Sequence, residues 1–373
     1  MTSYRLAAGL SLVGTLLIGT VALPRAEAAV WITREEVRAL PMSGPAWNAL
    51  KTRADKPAVA PDVSNQDDMC DVTVLAKALV YVRTGIESYR TDVRRACMEA
   101  IDTEIGGASL ALARNLAPYV IAADLVGLDA GEDLTFRTWL RRTLSEVLSD
   151  GRSLRVTHET RPNNYGTHAG ASRAAVAAYL GDTAELARTA TVFRGWLGDR
   201  AAYAGFKYGD LSWQCDPSKP VGIDPPGCVK NGVSLDGALP EEMRRGGTFR
   251  WPPLQGSAAN YAWEAVQGAV VQAEILHRQG YDAWQWQSQG LRRMAQFLYD
   301  LNRRYSGWWA AGDDLSSPWL INRAYGTKFP VTTPTSPGKN MGYADWTHAS
   351  GVSVPEDQAP PSAVHDFSDR SVR

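Results

Sequence analysis

Apolar residues recur three and four positions apart along most of the chain, the period of helices rather than strands. "REEVRALP" (34–41) opens a helix with acids in its first turn. "DVTVLAKALVYVRTG" (71–85) carries the period and stops at Gly85, and "YRTDVRRACMEAID" (89–102) follows after a short break. "SLALARNLAPYVIAADLVGL" (109–128) is apolar on most sides, as a buried helix is. "DLTFRTWLRRTLSEVL" (133–148) is amphipathic. A helix leads from the Asn pair at 163–164 to Leu180, and "DTAELARTATVFRGWLGD" (182–199) comes next with Asp182 as its N-cap.

The period lapses between Tyr203 and Pro253, a stretch rich in Gly, Pro, Asp, Trp and Cys. A loop this long inside a compact domain points to function. Helices resume over 257–280 and 283–301, and from Trp308 the chain is again loop-rich and Trp-rich. Helix pairs with almost no strand signal predict an all-α fold of stacked antiparallel hairpins. Curled about an axis they make an incomplete α/α toroid (barrel), and uncurled a straight solenoid with the same local pattern.

Composition narrows the setting. The 373 residues are 45% apolar, enough for a large core, and the net charge of -1 provides no field for nucleic acid. Arg5, the apolar run 6–23 and "AEA" (26–28) read as a signal peptide over 1–28, and the expected product is secreted, extracellular or periplasmic. No later segment reads as apolar enough to span a bilayer. Residues 29–355 are expected to form a single catalytic domain and 356–373 a disordered tail. Export permits disulfides, and the short loops favour Cys70–Cys97 and Cys215–Cys228 over a zinc site, whose tight spacing is missing.

Three short stretches carry candidate chemistry. "RPNNYGTHAGASR" (161–173) sets Asn163, Asn164, Tyr165 and His168 at the mouth of an Ala-rich helix. Asn164 or Thr167 could be the N-cap, which accounts for one amide but not for two plus an imidazole. If the helix starts early, Asn164 and His168 share a face at a terminus whose free N–H groups suit a carboxylate. Asn donates without adding charge, and His168 is either a proton acceptor or a structural core residue. "RRGGTFRWPP" (244–253) groups Arg244, Arg245 and Arg250 around a Gly pair, as a carboxylate grip or a solvated turn. In "NYAWEAVQGAVVQAEI" (260–275), Tyr261, Glu264 and Gly268 fall near one face of a starting helix. Tyr261 either packs or transfers protons, and nearby Arg would favour its phenolate. Trp213, Trp251, Trp308, Trp309, Trp319 and Trp346 lie in loops, as sugar-stacking faces or as anchors. Asn322, Arg323 and Tyr325 in "INRAYGTKFP" are further candidates.

The Asn pair opening a helix, the Arg-bearing loop and a Tyr leading an A-x-x-x-A-E helix resemble the alginate-lyase-like polysaccharide lyases (alginate and glucuronan lyases). The resemblance implies a secreted α/α-toroid enzyme that cleaves an acidic polysaccharide by β-elimination. It implies that Asn164 neutralises the substrate carboxylate and that Tyr261 serves as base, acid or both. The chain departs from the family at two places: Tyr165, not His, follows the Asn pair, and the Arg residues stand farther from Tyr261 than usual. The expected catalytic set is therefore Tyr261, His168, Asn164 and Arg245. Asn163, Tyr165, Arg244, Arg250, Trp251 and Trp213 are expected to bind substrate. No metal, cofactor, nucleic acid or membrane partner is expected, and the protein is expected to be a monomer. A glycoside hydrolase using two of Asp210, Asp313, Asp314, Asp345 and Glu264 is the main rival, and a non-catalytic carbohydrate binder is the second.

Overall fold

The computed structural model describes residues 29–333, 339 and 341–349. The expected signal segment and the expected C-terminal tail lie outside the described residues. The described chain is helical almost throughout. Its helices are α1 (Arg34–Ala39), α2 (Pro45–Ala54), α3 (Cys70–Thr84), α4 (Glu87–Glu99), α5 (Ser109–Val126), α6 (Ala130–Thr143), α7 (Leu154–Thr160), α8 (Asn164–Leu180), α9 (Thr183–Leu197), α10 (Pro240–Met243), α11 (Ser257–Arg278), α12 (Trp286–Tyr305), α13 (Ser317–Tyr325) and α14 (Ala344–Thr347). A two-residue hairpin, β1 (Val229–Lys230) with β2 (Val233–Ser234), is the one sheet among the described residues.

Four helices form a buried row: α3 packs on α5, α5 on α8, and α8 on α11. Nearly every residue of α5 and α8 is buried, as the unbroken apolar run of α5 requires. By length and composition α5 would cross a membrane, contrary to the sequence reading, but 89% of it is buried inside the fold. The outer helices are amphipathic, and each packs on the buried row or on a neighbour.

Small residues set how closely the row packs. A Cβ on Gly268 of α11 would stand 2.4 Å from the His168 backbone nitrogen of α8. On the facing side, a Cβ on Gly170 would stand 2.2 Å from Gln272 Oε1. Glycine is therefore what lets these two helices meet backbone to backbone. On the other flank of α8, Ser172 Oγ accepts from the Ala117 N–H at 3.2 Å and donates to the Ala113 carbonyl at 2.7 Å. The hydroxyl enters the α5 ladder beside Pro118, the residue that has no N–H of its own to give.

Lys339 and residues 341–349 return alongside α3 and α11. Lys339 pairs with buried Asp71 at 2.9 Å, the Tyr343 hydroxyl donates to the Val72 carbonyl, and Trp346 Nε1 donates to the Pro41 carbonyl. His348 lies 3.5 Å from Glu274, whose carboxylate also holds Arg278.

The capping signals hold where they were strongest. Asp182 Oδ1 accepts from the Glu185 N–H, and Gly85 closes α3 in the left-handed region. The periodic reading passed over α2, α7, α13 and α14, each ten residues or fewer. Cys215 and Cys228 are cross-linked as expected. Cys70 and Cys97 are not: both are free, buried thiols, and burial pushes the Cys70 thiol up to about 11. They sit in the apolar α3–α4 packing as small hydrophobic side chains.

Candidate active site

The mouth of α8, the short α10 with the turn after it, and the start of α11 converge on one point. Pro162 ends the preceding segment, and its carbonyl accepts from Trp196 Nε1 at 2.8 Å. Asn163, not Asn164 or Thr167, is the N-cap, with extended backbone (φ -96°, ψ -172°) and no capping bond from its side chain. Asn164 is the first helical residue, so its amide N–H is one of the free donors of the terminus. That N–H donates to Glu242 Oε1 at 2.6 Å.

Glu242 organises the site. It is buried, and its second oxygen accepts from Arg245 Nε at 2.7 Å. The far end of the same guanidinium reaches Asn164 Oδ1 at 3.3 Å and, with the amide turned to satisfy its neighbours, the Asn163 oxygen at 3.2 Å. Arg161 Nη2 also donates to that Asn163 oxygen at 3.3 Å and lies over the Tyr165 ring at 4.7 Å. The Arg245 guanidinium then covers the Tyr261 ring, 3.7 Å from its centroid. With both amide oxygens held by Arg245, the Asn164 Nδ2 donor and the Tyr261 hydroxyl have no hydrogen bond among the described residues. Burial pushes the Glu242 carboxyl up to about 7, against the pull of Arg245 and the Asn164 N–H.

One helical turn deeper lies a second layer. His168, a turn on from Asn164, is wholly buried, and its Nε2 sits 3.2 Å from Glu264 Oε2. Glu264, a turn on from Tyr261, is 3.5 Å from Arg114 of α5, which also lies 3.9 Å from Asp313. Gln267 donates to Asp314 at 2.6 Å. Burial lowers the His168 pKa, only partly opposed by its bond to Glu264. Burial works against the Glu264 carboxylate too, but His168 and Arg114 outweigh it and hold its pKa below the usual value. His168 is thus an enclosed ring under the site, held against Glu264.

The remaining expected residues divide. Arg244 turns toward Glu241 and packs over Gly209, away from Arg245. Arg250 is exposed, with no ion pair among the described residues. Trp251 is half-buried against Tyr305, with ring centroids 6.0 Å apart. Trp213 corrects the sugar-stacking expectation. It is 1% exposed, its Nε1 donates to the Gly247 carbonyl, and its ring meets Phe249, so it anchors the loop instead. Trp308 and Trp346 are buried as well. Asn322, Arg323 and Tyr325 spend their polar groups on Phe329, on Thr347 and Glu36, and on the Trp284 carbonyl. Sequence reasoning missed Glu242, Arg161 and Arg114. The Glu241–Glu242 pair three residues before Arg244–Arg245 was the available signal, since that spacing places acid and base side by side on a helical turn.

Comparisons with known proteins bear on the family and the fold. No curated protein is similar enough in sequence to count as a match. Among solved structures, the alginate lyase A1-III of Sphingomonas species A1 has the same fold, with a TM-score of 0.56 at 12% identity over 86% of this chain and 95% of that one. A variant of that lyase complexed with a tetrasaccharide gives 0.56 at 14% identity over 88% and 96%. The alginate lyase family model matches residues 66–206 and 227–308, which hold the Asn pair, Arg245 and Tyr261. On that match the chain belongs to the alginate lyase family, and it is a polysaccharide lyase.

Proposed function

We propose that the chain is a secreted lyase that cleaves a uronic-acid polymer, glucuronan or alginate (mannuronan), by β-elimination. The new end would be a 4,5-unsaturated uronate. The convergence of Asn164, Arg245 and Tyr261 from three separate segments carries this reading.

The C5 proton of a uronate is weakly acidic, and its removal sends negative charge onto the carboxylate. The free Asn164 amide donor, the Asn163 amide and the Arg245 guanidinium are placed to meet that charge as it forms. The Tyr261 phenolate takes the C5 proton, and the C5 electron pair forms the C4–C5 double bond as the C4–O4 bond breaks. The same phenol then returns its proton to O4. In mannuronate and glucuronate H5 and O4 lie on one side of the ring, so a single group can reach both. Tyr165 closes the mouth of the site where the family carries His. This scheme routes charge onto amides and guanidinium rather than a metal ion.

The buried row of α3, α5, α8 and α11, with Lys339 and His348 reaching its two ends, supports an incomplete α/α toroid. The Cys215–Cys228 cross-link supports export from a reducing cytosol. The test is ultraviolet absorbance of the new double bond on mannuronan, guluronan, glucuronan and pectate, with wild type and Tyr261→Phe. A rise on one polymer, cut roughly 10²- to 10⁴-fold by the substitution, is expected. New reducing ends without ultraviolet absorbance would instead mean hydrolysis.

A further inference from the structure

A second cationic surface lies outside this site. A cleft of about 1000 Å³ runs between the β1–β2 turn and the outer face of α12, and Trp251 forms part of its wall. Arg292, Arg293, Arg303 and Arg304 line it, against two carboxylates, Asp236 and Asp300. Arg293 is a fixed part of the wall, bonded to Asp236 and to the Asp224 carbonyl at 2.7 Å each. That pairing consumes Asp236.

The other three guanidiniums are exposed. Arg292 donates only to the neutral Gln289, and Arg303 lies over the Tyr299 ring at 5.9 Å. None of the three has a carboxylate partner among the described residues. From Arg292 to Arg304 the face extends about 18 Å at the helical rise, so it presents an elongated cationic strip and not a point site. Trp251 joins the strip to the catalytic loop: it stands six residues after Arg245, and its ring packs on Tyr305 at the end of α12.

We propose that this face of α12 is a second binding groove for the anionic polysaccharide, holding a stretch of polymer outside the cleavage site. Planar guanidiniums in a row suit the repeating carboxylates of a polyuronate, and the Trp251 face suits a sugar ring. The identity of the polymer rests on the lyase reading, while the groove itself rests on the arginines.

The test is retardation in a native gel containing mannuronan or glucuronan. Tyr261→Phe protein, which keeps the polymer intact, is compared with the same protein carrying Arg303→Ser and Arg304→Ser. A control carries Arg38→Ser and Arg141→Ser, an equal charge loss elsewhere. The groove variant should bind roughly 2- to 30-fold more weakly, with the control unchanged and the difference shrinking in salt. In the Tyr261 background, cleavage of short oligouronates by Arg303→Ser/Arg304→Ser protein should match wild type, while the polymer KM rises. Equal retardation of groove variant and control, or no retardation of any protein, overturns the groove. Retardation that needs Arg303 and Arg304 in a protein showing no β-elimination would retain the groove and sink the lyase reading.

Discussion

The Arg245 guanidinium lies flat against the Tyr261 ring, 3.7 Å from its centroid, while the same side chain is hydrogen-bonded to Glu242 and Asn164. One cation thus touches the proposed base and the proposed carboxylate binder at once. Replacing Arg245 by Ala should cut kcat/KM on the polymer by about 10² to 10³ and lower the melting temperature as well, since it leaves buried Glu242 without its cation. Lys should restore little of it, because an ammonium cannot cover the ring and span Glu242 and Asn164 together. Steady-state rates of double-bond formation check this, and a fully active Lys variant would refute it.

Glu242 gives the site a pH dependence. Its folded pKa of about 7 lies above the ordinary carboxylate range, so the folded state retains a proton that the unfolded state releases. Its contribution to stability is therefore present at acid pH and is lost as pH rises through about 7. Activity should run the other way, since only the carboxylate pairs with Arg245. The rate profile should show an acid limb near pH 7 that Glu242→Gln removes, along with the alkaline loss of melting temperature. A limb that survives the substitution would belong to another group.

His168, wholly buried against Glu264, is expected to support the floor of the site and not to take the substrate proton. His168→Ala should destabilise the fold by about 1–3 kcal/mol, since it deprives the half-enclosed Glu264 of a partner. His168→Gln, which keeps a donor, should recover most of that. Both should keep kcat within about tenfold of wild type, well short of the loss expected on removing a general base. A far larger loss of kcat in a variant that melts normally would restore His168 as the base.

Gly268→Ala should separate α8 from α11. The added methyl falls 2.4 Å from backbone atoms of Thr167 and His168, which cannot rotate away. Overpacking of this kind costs about 1–3 kcal/mol. The shift would also part Asn164 from Tyr261, so thermal melting and turnover should fall together. Retained activity in a destabilised variant would mean that the two helix mouths move independently.

The long helices were legible because each satisfies a local rule. The α5 run is apolar around its circumference, α9 begins at a capping Asp182, and α3 stops at a glycine in the left-handed region. The Asn pair was legible as the mouth of a helix for the same reason. Partnership was less so. His168 and Asn164 share a helix face as the spacing required, yet only the tertiary fold decides that one meets Arg245 and the other rests against Glu264. Trp213 shows the same limit: a tryptophan in a Gly-rich loop has the chemistry of a sugar platform until its indole N–H is seen donating to the Gly247 carbonyl. Cys70 and Cys97 sit a short loop apart in sequence, but their helices pack them as unbonded thiols.

The return of Lys339 and residues 341–349 bears on synthesis. Asp71 near the start of the buried row pairs with Lys339 of this last stretch, and Glu274 near its end lies against the His348 ring. A chain still emerging from the ribosome has every inner helix in hand but not these two partners. Asp71 stays unmet until about the last thirtieth of the described sequence has been made. A truncation before Lys339 should leave Asp71 buried without its cation and lower the melting temperature.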